Sequence, residues 1–407
     1  MKKFGAYEIL HELKSGGMGS VLLARRRGLG TFEQLVAIKT IRAEYAATPA
    51  VRAMFLDEAA ILARINHPGI ATVHDFGEQD DTLYMVMEYV AGIPFRDLID
   101  HRPPPEVIAR AIAEACRGLH AAHELRDLGG HSLDLVHRDI SPDNLMLGFD
   151  GHVKVIDFGI ALVKKNRQAP VTEFGTVKGK PPYMSPEQVA NEPMDRRSDI
   201  FSLAVVLWEM LTQRSLFEGD SIYAIAFAVG NQTIVPPSQI IGEPLPLGLD
   251  SAVMNALDRD RMRRTPTAAA FAEQLEQVIQ QAGGETLEAW ADRVLAKSRD
   301  AHRAWLANVT NGDGLPRAAG RATGQVTELA PLGQAKTEAA PLTPSQPAPL
   351  ARVAAPPLVQ TQGDNRSRTS IGGTASGTDA LTIAPRTKLG PLIVLLLALL
   401  AVGGAVY

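Results

Sequence analysis

Apolar positions along the chain change their period partway. Between residues 7 and 110, short alternating or continuous apolar runs bounded by turn residues predict strands at 20–24, 35–41 and 83–89, with helical spacing at 51–65. Beyond Glu106 the spacing becomes mostly helical, clearest at 107–125, 198–211 and 267–281. A strand-rich lobe followed by a helix-rich lobe predicts an α+β domain over 7–281. After the Gly283-Gly284 break, 285–309 has helix-favouring composition and carries Trp290 and Trp305, which predicts a helical extension.

The pattern then dissolves. Ala, Pro, Gly, Thr and Gln dominate 311–388, a composition that cannot bury enough apolar surface to offset its ordering entropy and so predicts a flexible tether. The last stretch, 389–407, carries no charge. As a helix it would be about 28 Å long, close to the roughly 30 Å of a bilayer's hydrocarbon core, which predicts a membrane span. Arg386 and Lys388 precede it, and positive residues favour the cytoplasmic side, so the preceding domain is expected in the cytoplasm. Residues 1–16 offer no uninterrupted apolar run that could serve as a signal peptide.

Composition changes this picture little. A hydrophobic fraction of 45% suffices for a sizeable core. The formal net charge of -4 and a pI near 6.2 provide no basic field to attract nucleic acid, so none is expected as a partner. Cys116, the single cysteine, has no intramolecular partner and reads as a small buried helix residue. Arg25-Arg26-Arg27 could touch acidic lipid but reads better as a solvated strand edge.

Candidate chemistry begins at Leu13-Lys14-Ser15-Gly16-Gly17-Met18-Gly19-Ser20-Val21, a strand, a glycine-rich turn and a second strand. Missing side chains at Gly16, Gly17 and Gly19 would let backbone N–H groups approach phosphate oxygens, although hairpin glycines also serve simply to make the turn. Val36-Ala37-Ile38-Lys39 places a lysine on a strand, and Glu58 falls on the following helix. Paired, the two can hold phosphates; singly, each reads as a solvated surface charge. Downstream, Val136-His137-Arg138-Asp139-Ile140-Ser141-Pro142-Asp143-Asn144 offers the Asp139 carboxylate to orient a hydroxyl and the Asn144 amide oxygen to a metal. Asp157-Phe158-Gly159 supplies a second metal ligand. Hard oxygen donors of this kind suit Mg²⁺ better than a soft metal.

In this order these motifs resemble the eukaryotic-type (Hanks-type) protein kinases, most closely the bacterial membrane-anchored serine/threonine branch, over residues 7–281. The resemblance implies the two-lobed kinase fold, ATP and Mg²⁺ as ligands, and protein hydroxyls as acceptors. It implies that Lys39 grips the α- and β-phosphates while paired to Glu58, that Asp139 is the catalytic base, and that Asn144 and Asp157 hold magnesium. Val21 and Ala37 would cover the adenine from above and Met146 from below. Met87 would be the gatekeeper, and Glu88 to Val90 the hinge that offers backbone hydrogen bonds. Ser185-Pro186-Glu187 matches the end of the family's activation segment, with Glu187 expected to pair with Arg264, and Asp199 resembles the residue that braces the catalytic loop. Arg138 beside the base implies control by phosphorylation at Thr172 or Thr176, which a homodimer could perform between copies. The expected location is the cell inner membrane, with one span and the kinase domain cytoplasmic.

Three positions depart from the family pattern. Lys14 stands at the first glycine of the phosphate loop. Ser141 stands where a lysine usually follows the catalytic Asp by two residues, and Lys180 stands where Thr is usual, in a segment that normally lies near that lysine. The paired loss and gain predicts that Lys180 restores the missing charge, and it leaves serine/threonine against tyrosine specificity open. Two competing readings are a membrane-anchored ATP-binding pseudokinase scaffold, suggested by Ser141 and Lys14, and a small-molecule kinase, disfavoured by the Ser185-Pro186-Glu187 segment.

Overall fold

The computed structural model describes residues 3–16, 19–158 and 180–311, without the side chains of residues 43, 45, 50, 54 and 58. The tether and the apolar stretch at 389–407 therefore lie outside the described residues, among which no helix is long and apolar enough to cross a membrane.

Strands β1 (Lys3–Phe4), β2 (Tyr7–Ser15), β3 (Ser20–Arg27), β4 (Glu33–Ile41), β5 (Val73–Gln79) and β6 (Thr82–Glu88) form an antiparallel sheet ordered β1-β2-β3-β4-β6-β5. The short helix α1 (Ala43–Ala46) and the longer α2 (Pro49–Leu62) lie between β4 and β5. Register sorts the side chains: Val21 pairs with Lys39, Leu23 with Ala37, Ala37 with Met87 and Lys39 with Met85, so these residues share one face. The alternate positions Ala24, Val36, Ile38, Tyr84 and Val86 pack with Phe4 and Tyr7 on the other. Helix α2 stops short of the 51–65 spacing because the N–H groups of Arg64 and Ile65 reach back only three residues, to Ile61 and Leu62, tightening the chain into a turn before Pro68.

The second lobe opens with β7 (Gly92–Pro94), α3 (Phe95–Asp100) and α4 (Pro105–His123), followed by the hairpin β8 (Leu145–Gly148) and β9 (Val153–Val155), which joins β7 in a three-stranded sheet. After a 3₁₀ turn at Pro181–Tyr183 come α5 (Pro186–Val189), α6 (Arg197–Thr212), α7 (Ile222–Asn231), α8 (Pro237–Ile241), α9 (Leu249–Ala256) and α10 (Ala268–Ala282). Every residue of α6 from Ser198 to Thr212 is buried, as expected of a helix apolar all round, and its polar members Ser198, Asp199, Ser202, Glu209 and Thr212 all have hydrogen-bond partners. Gly118 of α4 lies so close to Gly69 that a Cβ would strike the Gly69 carbonyl, which fixes how near the helix approaches the chain entering β5.

The predicted extension is two helices, α11 (Leu287–Val294) and α12 (Ala296–Asn311), divided at Leu295. Leu287, Trp290, Ala291 and Leu295 are buried in the same core as α4, so the stretch is packed into the domain. Arg25, expected at a solvated edge, is only 6% exposed: it pairs with Glu8 and donates to the Thr310 carbonyl of α12 at 3.2 Å.

Candidate active site

The cleft between the lobes gathers most of the residues singled out by spacing. Lys39, on the cleft face of β4, places its ammonium 3.0 Å from the Asp157 carboxylate on the loop after β9. Burial by itself would raise the Asp157 carboxyl; the charge and hydrogen bond of Lys39 outweigh it and hold the group below its ordinary range. Asp157 has a positive φ of 54°, a region that non-glycine residues occupy uncommonly, although Asp tolerates it better than most. Glu58 lies on α2, but its side chain is outside the described residues, as are Gly17, Thr172 and Thr176.

Asp139 and Asn144 sit on one loop. The Asn144 amide nitrogen donates to the Asp139 carbonyl at 2.7 Å and to its carboxylate at 3.0 Å, leaving the amide oxygen as the atom available to a cation. The Ile156 N–H donates to the Asn144 carbonyl at 2.9 Å, so Asp157 follows a residue bonded to Asn144 itself.

The loop is braced from below. Asp199, 1% exposed at the start of α6, accepts from the backbone N–H groups of His137 and Arg138, both at 2.8 Å, and bonds His123 Nε2 at 2.7 Å. Burial raises its carboxyl, but His123, His137 and these bonds bring it below the usual value. Arg138 has φ 69°, and the Gln188 amide holds its carbonyl at 2.8 Å, so both sides of a strained residue are tied down. His137 packs against Phe158 at 4.4 Å between ring centres and bonds the Ile156 carbonyl at 3.1 Å, linking the loops that carry Asp139 and Asp157.

The glycine-rich turn closes through Gly16 N–H to Gly19 carbonyl at 2.9 Å. A Cβ on Gly19 would run into the Thr40 carbonyl, so that glycine is required by strand packing alone. At Gly16 a Cβ would meet nothing closer than 3.7 Å; only a ligand's approach would give it a steric reason to be glycine. Lys14, on β2, pairs with Val21.

Glu88 ends β6 and donates its N–H to the Thr72 carbonyl at 2.8 Å; its carboxylate pairs with Lys154 of β9 at 2.9 Å, tying this connection to the second lobe. Val90 lies in the connection to β7, and Met146, partly buried on β8, pairs with Pro94 and Lys154. Lys39, Met85, Met87, Val155, Asp157 and Phe158 line a small cavity behind the cleft.

Lys180 comes to the position that the family resemblance anticipated. Its ammonium is 3.3 Å from the Ser141 hydroxyl and pairs with Asp143, which Arg96 also engages. Burial first, then the nearby charges of Arg96 and Lys14, push it down to about 8, against the Asp139 carboxylate, which favours the charged form. Sequence reasoning missed Asp143, Arg96, Gln188 and His123. The only available signal was, for Asp143 and Gln188, their position within or beside a motif and, for His123, its place at the end of an amphipathic helix; Arg96, in α3, carried none.

Glu187 and Arg264 form a bidentate pair at 2.7 and 3.0 Å, 2% and 0% exposed, with Ser198 donating to the same carboxylate at 2.6 Å. The Arg264 guanidinium also lies 5.0 Å from the centre of the Phe201 ring. Cys116 is fully buried, and burial pushes its thiol up, as a packing residue requires.

Comparison with known proteins agrees with this geometry. The tyrosine-protein kinase MasK of Myxococcus xanthus is 34% identical over 408 residues, spanning 93% of this chain and 63% of MasK. The serine/threonine-protein kinase PknB of Mycolicibacterium smegmatis is 38% identical over 269 residues, 65% of this chain and 41% of PknB. The chain thus spans less than two thirds of the length of either relative. The kinase domain of Mycobacterium tuberculosis PknI, a solved structure, superposes on 68% of this chain and 97% of its own with a TM-score of 0.51; at 24% identity it speaks for the fold alone. Residues 7–270 match the protein kinase domain, and the chain belongs to that family.

Proposed function

We propose that the chain is an ATP-dependent protein kinase acting on serine and threonine hydroxyls. The observation that carries this is the Lys39–Asp157 pair at 3.0 Å across the cleft, beside the loop on which Asn144 holds Asp139. Lys39 binds the α- and β-phosphates, and Asp139 accepts the proton of the acceptor hydroxyl as its oxygen attacks the γ-phosphorus and ADP departs. Gly16, Gly17, Gly19, Val21, Ala37, Glu88, Val90 and Met146 surround the nucleotide, and Glu58 pairs with Lys39. The donor set fits magnesium: the Asn144 amide oxygen and the Asp157 carboxylate are hard ligands brought together by the Ile156–Asn144 bond. Bound there, Mg²⁺ supplies charge neutralisation on the phosphate oxygens.

Lys180 is assigned the charge that Ser141 lacks, because its ammonium reaches the Ser141 hydroxyl. Arg138 is assigned to a phosphate on Thr172 or Thr176, placed there by a second copy of the chain. The serine/threonine preference is supported by the likeness to PknB; the likeness to MasK supports a second reading, in which tyrosine is the acceptor. The uncharged stretch 389–407, with Arg386 and Lys388 before it, supports a single inner-membrane span with the kinase domain cytoplasmic.

The test is transfer of labelled phosphate from ATP and Mg²⁺ to the chain and to a generic protein, followed by phosphoamino-acid analysis. Phosphoserine or phosphothreonine that disappears in Asp139→Asn and Lys39→Ala supports the proposal. Phosphotyrosine alone moves it to the second reading, and ATP binding without transfer overturns catalysis in favour of a scaffold.

A further inference from the structure

Helix α12 touches both lobes and the chain between them. Helix α11 anchors its start in the core of the helical lobe through Trp290 and Leu295. On α12, His302 lies 5.3 Å from Phe149, in the β8–β9 turn of that lobe. The same imidazole stacks on Tyr89 at 5.9 Å with the planes 19° apart, and its Nε2 shares a hydrogen bond of 3.2 Å with the Tyr89 hydroxyl. One turn on, Trp305 meets His302 at 5.5 Å and, edge-on at 83°, His11 of β2 at 5.5 Å. Near the helix end, the Thr310 carbonyl receives the Arg25 guanidinium of β3.

Tyr89 belongs to the three residues joining β6 to β7, between Glu88 and Val90. The segment is held from the other lobe as well, where the Phe149 N–H donates to the Ala91 carbonyl at 2.9 Å. Phe149 and His302 thus bind the connection jointly, and burial keeps the imidazole below its usual value, hence neutral.

We propose that α12 is an inter-lobe strap that orders the connection at 89–91 for nucleotide binding, with His302 and Trp305 acting as positioning residues through Tyr89. The inference rests on the protein kinase reading above. A connection already ordered loses less freedom when a nucleotide bonds its backbone, so the strap strengthens nucleotide binding without touching the transferred phosphate. Reciprocity follows: bound nucleotide must steady α12, although no α12 residue lines the cavity beside Lys39 and Asp157.

The test uses the full chain. In His302→Ala/Trp305→Ala, KM for ATP is expected to rise about fivefold or more while kcat changes less than about twofold, with Trp305→Phe recovering most of the loss. In the unsubstituted chain, saturating ADP is expected to slow backbone amide exchange in α12 as well as in 86–92, a readout that needs no variant to fold. Unchanged exchange in α12 while 86–92 becomes protected would overturn the strap and leave the kinase reading standing, as would a double variant that lowers kcat with KM unmoved. ADP that protects neither segment would overturn the kinase reading and the strap with it.

Discussion

Two ion pairs in this protein have similar lengths and opposite surroundings. Lys39 and Asp157 meet at 3.0 Å with 30% and 29% of their side chains exposed; Arg264 and Glu187 meet at 2.7 Å with 0% and 2% exposed. The first joins an ammonium to a carboxylate in a partly exposed cleft, where exchange of partners is cheap, which suits the phosphate role proposed for Lys39. The second is a dry fork closed by a further bond from Ser198, so each charge depends on the other. One pair is suited to being opened; the other holds α5 to the segment before α10.

Breaking the dry pair should have the largest effect on stability. Glu187→Ala strands a buried guanidinium and is expected to cost about 3–5 kcal/mol. Thermal unfolding would show this as a fall of roughly 10 °C. A cost no greater than that of Lys39→Ala would erase the distinction between the pairs.

Next in size is Lys180, whose place resembles Lys39 in being half-exposed and charged. Lys180→Ala is expected to lower kcat by roughly 100-fold, as loss of one transition-state contact does, with little change in unfolding temperature. Adding Ser141→Lys to it should recover most of the rate. Failure of that double variant, with Lys180→Ala fully active, would remove the compensation.

The acid limb of stability probes the dry pair more gently. Burial pushes the Glu187 carboxyl up, but Arg264 and Ser198 bring it below its ordinary value of 4.5. A group whose folded value is depressed contributes fully above the unfolded value and loses that contribution as pH falls through the folded one. Stability should therefore decline below about pH 4.5, and less steeply in Glu187→Gln, measured by denaturant unfolding across pH.

The smallest effect on stability is expected at Lys39 itself. Lys39→Ala should change it by less than about 1 kcal/mol while abolishing transfer, which calorimetry and a phosphorylation assay read together.

Much of this contrast was visible in one dimension. Asp139 and Asn144 are close because they lie five positions apart on one loop, and the strand period places Val21, Ala37 and Lys39 on one face. Such contacts follow from local geometry. The proximity of Lys180 to Ser141 was reached only through family resemblance, since nothing local relates positions 39 residues apart. His123 against Asp199 and Tyr89 against His302 were not legible at all. Each joins elements 76 and 213 residues apart in the chain, and neither histidine stands out from a helix face.

The boundary of the domain was read differently too. A Gly283-Gly284 break and a change of composition suggested an appendage, because composition reports whether a segment can be helical but not what it covers. Burial of Trp290 and the reach of α12 to Arg25 were decided by packing, where an apolar face finds the nearest unfilled surface. The sequence alone thus determined which residues could carry phosphate chemistry and the periods that build two lobes, because both depend on neighbours along the chain. Only the tertiary structure decided which charges are dry, which lysine stands beside Ser141 and what lies against the connection between β6 and β7, because solvent exclusion and long-range contact exist only once the chain has closed on itself.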